Sequence, residues 1–276
     1  MTIDFHTHIF PPDVRDRREE YLRRDPTFAE MYANPKAKIA TDEDLLRSMD
    51  DSGVDVSVAL GFAWRDHEDC VRHNDYLLET AAGSGGRIVP FCTLNPASGK
   101  AAAEEVERCA LAGARGLGEL RPESQGWDLN GAPGDLLAEL ARQHDLVLLF
   151  HVTEPAGHDY PGKRGLSLDS FRRFLDRSQG VAVVGAHLAG GLLLHEPPPE
   201  ASVYADTAAA RYLYEPQVLA EAATGPWAAR LLFGSDFPLV AQTTALGDVR
   251  EAGLDSAALA RVLGGNARGL LPPTGT

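Results

Sequence analysis

With 276 residues and a formal net charge of −14, from forty acidic against twenty-six basic side chains, the chain has the length of one (β/α)8 barrel and the wrong sign for a nucleic-acid or anionic-membrane partner. A small-molecule substrate fits better. Cys70, Cys92 and Cys109 show no C-x-x-C spacing, which argues against a disulfide framework or a thiolate metal site and suits a reducing cytoplasm. No basic-then-apolar leader precedes the first strand, and no apolar run reaches the roughly eighteen residues of a membrane span.

The chain opens with IDFHTHIFPP, Ile3 to Pro12. In a strand, alternate side chains share a face, so Asp4, His6 and His8 are expected to point the same way. Two imidazoles so placed can grip one metal ion, or form a hydrogen-bonded pair at a strand end. Pro11 to Pro35 is charged and broken by prolines, and reads as a long excursion with one short helix, of the kind that forms lids or substrate walls. Thr41 then caps a helix that runs to Gly53, with Asp44 three residues on, before VDVSVAL as a second strand.

From there, short apolar runs alternate with helical segments. Strands are expected at Arg87 to Leu94, Ala114 to Leu120, Leu146 to His151, Val181 to Leu188, Ser202 to Thr207 and Leu231 to Asp236. Helices are expected at Ala101 to Ala112, Leu136 to His144, Leu168 to Ser178 and Pro216 to Ala223. Eight strands separated by helices predict a parallel α/β barrel, the (β/α)8 or TIM type. With no internal repeat or linker, residues 1–276 are read as one domain.

Active sites of such barrels lie at the carboxyl ends of the strands. The polar residues there are metal ligands by type: His6 and His8, Glu119, His151, His187 and Asp236. Each alone has a structural explanation, but a rim of six buried polar groups would be costly without pairing or a metal.

IDFHTHIFPP, FHVTE, GAHLAGG, VYADTAA and LLFGSDFPL together resemble the amidohydrolase superfamily. In particular they resemble the amidohydrolase-related family of aminocarboxymuconate-semialdehyde decarboxylase, resorcylate decarboxylase and lactone hydrolase type. The resemblance runs from Ile3 to Asn266-Ala267-Arg268. It implies that His6, His8, His151 and Asp236 bind one divalent metal, zinc before manganese, with His187 beside it. It also implies a homodimer. Glu119 departs from the decarboxylase pattern, and is similar instead to the strand-four glutamate that bridges two metals in the TatD branch. A carboxylated-lysine bridge is excluded, because Lys36, Lys38, Lys100 and Lys163 all lie outside that strand. One metal with an optional second is therefore expected, Glu119 being either a bridge, with His187 as a ligand to the second ion, or a general acid or substrate contact.

Arg121 could pair with a substrate carboxylate. Trp64 and Trp127 are candidate pocket walls, Asp206 a support for His187 or a loop, and His67, His73 and His195 solvated loop residues. Loops Arg15 to Pro35 and Glu154 to Gly165 are expected to set specificity. The leading functional expectation is a metal-dependent hydrolase of a small amide, lactone or related cyclic substrate, with Asp236 handling the proton and His187 the oxyanion. The alternative is a non-oxidative decarboxylase in the same scaffold, and the third reading a non-catalytic binding protein.

Overall fold

The computed structural model describes residues 1–153, 161, 163, 165–199 and 202–271. Eight parallel strands follow one another in chain order around a nearly closed barrel. They are β1 Ile3–His8, β2 Val56–Leu60, β3 Ile88–Cys92, β4 Gly116–Leu120, β5 Val147–Phe150, β6 Val183–Gly185, β7 Val203–Asp206 and β8 Leu231–Leu232. The (β/α)8 expectation is met. These strands are short apolar runs buried almost throughout, because in a barrel one face meets the interior and the other the helices.

Two apolar clusters divide the strand residues by face. Phe5, Val58, Phe91, Leu149, Val184 and Leu232 fill the barrel interior. Ala59, Cys92, Leu117, Leu148, Val183 and Leu231 pack outward against residues of the surrounding helices. The register of β1 on β2 shifts between Asp4 and Thr7. This irregularity corrects the expectation that Asp4 shares a face with His6 and His8. Asp4 instead meets Gln242, at 2.8 Å, and that amide also contacts Ser57.

The excursion after β1 holds three short helices rather than one: α1 Pro12–Asp16, α2 Arg18–Arg24 and α3 Pro26–Tyr32. Pro12 and Pro26 occupy the first helical turn, where a missing N–H costs nothing, so these prolines start helices instead of breaking them. Asp25 caps α3 by accepting from Phe28 N at 2.8 Å. The expected helix α4, Asp42–Ser52, follows, with Asp44 accepting from Thr41 N at 3.1 Å and Gly53 closing it at φ 75°.

The three helices bury Phe10, Val14, Tyr21, Phe28 and Tyr32 against Phe62 and Trp64. His73 pins this aromatic layer to the barrel. It lies fully buried in helix α5, His67–Gly83, not in a solvated loop as expected. Its Nε2 donates to Ile9 O at 2.8 Å, while its Nδ1 accepts from Trp64 Nε1 at 3.0 Å and Phe62 N at 3.2 Å. Burial pushes its pKa down to about 4. Among the described residues, no helix is long and apolar enough to cross a membrane.

Replacing His73 by Phe should leave the Trp64 and Phe62 donors buried and unsatisfied, at a cost of about 1–3 kcal/mol each. A histidine whose folded pKa is depressed stabilises the fold above about 6.5 and loses that contribution as pH falls towards about 4. Urea unfolding of the metal-free proteins should therefore show a difference between wild type and His73→Phe that is largest above pH 6.5 and shrinks towards pH 4.

Candidate metal centre

At the carboxyl end of the barrel five of the six ligand-type residues form two groups that share Glu119: His6, His8 and Glu119, and Glu119, His151 and His187. In the first, His6 Nε2 lies 3.1 Å from His8 Nε2. Asp236 Oδ1 is 3.6 Å and 3.4 Å from those two nitrogens, and Glu119 Oε2 is 3.7 Å from His8 Nε2. In the second, His151 Nδ1 is 3.1 Å from both Glu119 Oε1 and His187 Nε2. The structure thus sets His151 against Glu119 and His187, where the resemblance had grouped it with His6, His8 and Asp236.

His187 and Asp236 stand beyond their strands, because β6 ends at Gly185 and β8 at Leu232. Both take left-handed backbones, at φ 59° and 64°, which non-glycine residues adopt only when their surroundings hold them there. Asp206 is one such hold. Its Oδ2 accepts from His6 Nδ1 at 2.8 Å, and its Oδ1 accepts from His187 N and Ala208 N, each at 3.0 Å. The role expected for Asp206 beneath His187 therefore extends to His6 as well.

These hydrogen bonds fix ring tautomers and give a test of metal fit. Because His6 Nδ1 donates to Asp206, its Nε2 turns a lone pair towards His8 Nε2. Likewise His187 Nδ1 donates to Ala208 O at 3.0 Å, so its Nε2 lone pair faces His151 Nδ1. Nitrogens so placed need a proton or a cation between them. His151 Nε2 is also buried without a hydrogen-bond partner among the described residues.

The electrostatics agree. Burial lowers the affinity of His6 for a proton, but Asp206, Asp236 and Glu119 overcome this and raise its pKa to about 10. His187 is raised to about 9 against the same burial, chiefly by Glu119 and Asp236. Burial opposes ionisation of Asp236, yet His8, His6 and His187 hold it down at about 2. His151, by burial and then Arg121, falls to about 4. Protons thus gather where buried carboxylates demand positive charge, and imidazole with carboxylate is a donor set that suits a divalent transition metal.

A cavity of about 570 Å³ opens above this cluster, lined by His8, Glu119, His151, His187 and Asp236 at its floor. Arg121, only 3% exposed, lines it just beyond β4. Neither Trp64 nor Trp127 is among the lining residues. Trp64 stacks on Phe28 at 5.4 Å within the aromatic layer, and Trp127 is buried with its Nε1 on Gln125 Oε1 at 3.2 Å. Their apolar bodies fill the layers around the rim, which is why the pocket-wall expectation misplaces them. Met31, Tyr32, Lys36, Lys38 and Phe62 line the cavity instead and were missed. The signal available was the aromatic pair Phe28 and Tyr32, four residues apart in FAEMY, which marks one helical face. Of the loop Glu154 to Gly165, positions 154–160, 162 and 164 lie outside the described residues; Pro161 lines the cavity.

The amidohydrolase family model matches residues 3–272. The chain is similar in structure to 5-carboxyvanillate decarboxylase from Sphingomonas paucimobilis, at 18% identity and TM-score 0.78 over 98% of both chains. It is also similar to 2,6-dihydroxybenzoate decarboxylase from Rhizobium, at 17% identity and TM-score 0.69 over 98% of both chains. A third similar structure is dihydroxybenzoic acid decarboxylase from Polaromonas sp. JS666 with bound manganese, at 17% identity and TM-score 0.70, over 98% of this chain and 96% of that one. No curated protein sequence matches. These neighbours overturn the hydrolase expectation in favour of its decarboxylase alternative. Manganese, rather than zinc, is the ion named among them.

Metal loading should displace the proton from His6, so the apparent affinity for Mn2+ is expected to rise with pH from 6 towards 9. Glu119→Gln and His8→Ala should each weaken Mn2+ binding at least about tenfold, whereas Trp127→Phe should not. Paramagnetic resonance of free Mn2+ measures all three; unchanged affinity in Glu119→Gln would remove that residue from the centre.

Proposed function

Since the chain belongs to the amidohydrolase family, matched over residues 3–272, we propose that it is a metal-dependent decarboxylase that removes carbon dioxide from a small aromatic carboxylate. The observation that carries this reading is the composition of the cavity. A buried guanidinium, Arg121, and an imidazole that favours its protonated form, His187, both open onto a space walled by Met31, Phe62, Leu213 and Leu239. A ring fits between the apolar walls, and its carboxylate meets Arg121 in the bidentate geometry that guanidinium favours.

His6, His8, Asp236 and Glu119 would hold a divalent ion, manganese or zinc, leaving His187 unligated to carry a proton. When bound, such an ion would neutralise the carboxylates of the floor and supply Lewis-acid polarisation of substrate oxygens. Asp236, held ionised, accepts the proton of a ring hydroxyl and so drives electron density towards the adjacent ring carbon. His187, with Nδ1 anchored on Ala208 O, carries its mobile proton on Nε2 and delivers it to that carbon. The carbon–carboxylate bond breaks, its electron pair stays on the ring, and carbon dioxide leaves. Tyr32, buried above the floor, helps to exclude water from the reacting ring. A small-molecule substrate, a cytoplasmic location and a homodimer complete the reading.

The Mn2+-loaded protein should release carbon dioxide from ortho-hydroxybenzoates, and chelation should abolish the release. His187→Ala and Asp236→Asn should each lower kcat at least about a hundredfold with the fold retained by circular dichroism. Arg121→Gln should raise KM about ten- to a hundredfold, the worth of a charge-assisted hydrogen bond. Failure of the metal-loaded wild type to release carbon dioxide across a panel of hydroxylated benzoates would sink the proposal.

A further inference from the structure

The mouth of the cavity carries charge of the opposite sign to the chain as a whole. Of only four lysines in a chain of net charge −14, two, Lys36 and Lys38, line this cavity. Lys100 by contrast is paired with Glu104 on its own helix, at 3.0 Å. Among the described residues, neither the Lys36 nor the Lys38 ammonium has a carboxylate partner. The loop that presents them is built, not slack. Arg18 of α2 donates to the backbone carbonyls of Asn34, at 3.4 Å, Pro35, at 3.2 Å, and Ala37. Lys36 N is also tied to Asn34 Oδ1 at 3.0 Å. One guanidinium thus gathers three carbonyls and fixes the turn that carries both lysines.

Two ammonium groups without carboxylate partners among the described residues, carried on a loop whose backbone is fixed, place positive charge at the entrance of an apolar cavity, where an anion would be favoured. Arg121 already supplies the partner for the carboxylate that leaves. We propose that the substrate carries a second anionic group, a further carboxylate on the ring remote from the first, and that Lys36 and Lys38 bind it. The proposal rests on the decarboxylase reading for the identity of the first carboxylate. It selects a dicarboxylated ring over a singly carboxylated one. Because the second group stays at the solvent-facing rim, the lysines act on binding and not on the chemical step, and their effect is screened by salt.

Binding of unreactive acids separates this inference from the reaction itself. Isothermal titration of the Mn2+-loaded protein with isophthalate and with benzoate should show isophthalate bound about tenfold more tightly at low salt, with the advantage shrinking at 0.5 M salt. The double variant Lys36→Gln/Lys38→Gln should bring isophthalate to the affinity of benzoate and leave benzoate unchanged. Equal affinities in the wild type, no detectable isophthalate binding, or a double variant that weakens both acids alike would overturn the proposal. If isophthalate behaves as expected while no hydroxybenzoate yields carbon dioxide, the cation pair stands and the decarboxylase reading falls. A salt-dependent preference in the wild type tests the proposal even if the variant fails to fold.

Discussion

The carboxylate of Asp206 is the interaction on which the centre depends. It is wholly buried on the last residue of β7, and its two oxygens do different work. One fixes the tautomer of His6, aiming Nε2 at the cluster. The other grips the backbone of His187 where the chain turns left-handed through His187, Leu188 and Ala189, at φ 59°, 58° and 53°. Three successive non-glycine residues in that region are costly. The carboxylate offsets the cost by accepting from two backbone amides, and Tyr214 adds a third hold by donating to His187 O at 3.0 Å. Had the chain at β6 stayed extended, His187 would alternate with its neighbours along a strand; the turn presents it to the floor of the cavity.

A second buried carboxylate, Asp4, performs the corresponding task where the barrel closes. With β8 only two residues long, β1 meets the following turn through Phe5 N to Phe233 O at 2.8 Å, Asp236 N to His6 O at 2.9 Å and His8 N to Phe237 O at 2.7 Å. Asp4 reinforces this seam by accepting from Ser235 N at 2.9 Å and Ser235 Oγ at 2.6 Å. Burial raises its pKa, and these donors only partly counter it. The seam leaves no space to spare: a Cβ at Gly234 would sit 2.9 Å from His6 Cβ. Closure of the fold and placement of Asp236 against His6 are thus one event, since the residues that zip the seam flank the ligands.

This explains what was legible in the sequence. Parallel strands leave continuous apolar runs, and the strand-end rule points to the residues that follow them, so the barrel and six of its rim residues can be read without coordinates. The division of those residues could not be read. Whether His151 faces His6 or Glu119 depends on side-chain geometry across strands that touch only in three dimensions. The register shift that turns Asp4 away from His6 has no local signature, because IDFHTH alternates perfectly well on paper. Pro12 and Pro26 misled for a related reason: proline breaks a helix interior but suits its first turn, and only the cap at Asp25 distinguishes the two uses. His73 looked polar because its neighbours are polar; its burial follows from the aromatic layer folded over it.

That layer links the fold to selectivity. The barrel supplies ligands from strand ends that no single loop could alter without loss of the centre. The excursion between β1 and α4 carries Met31, Tyr32, Lys36 and Lys38, which line the cavity. Chemistry and recognition therefore reside on separate stretches of chain. In the proposed reaction the same division favours turnover. Loss of carbon dioxide removes the charge that met Arg121 at the floor, while any anionic group at the mouth remains within reach of solvent and of screening ions. The product is thereby held more weakly at its buried end than the substrate was, and it leaves towards the lysines, through the entrance by which it came.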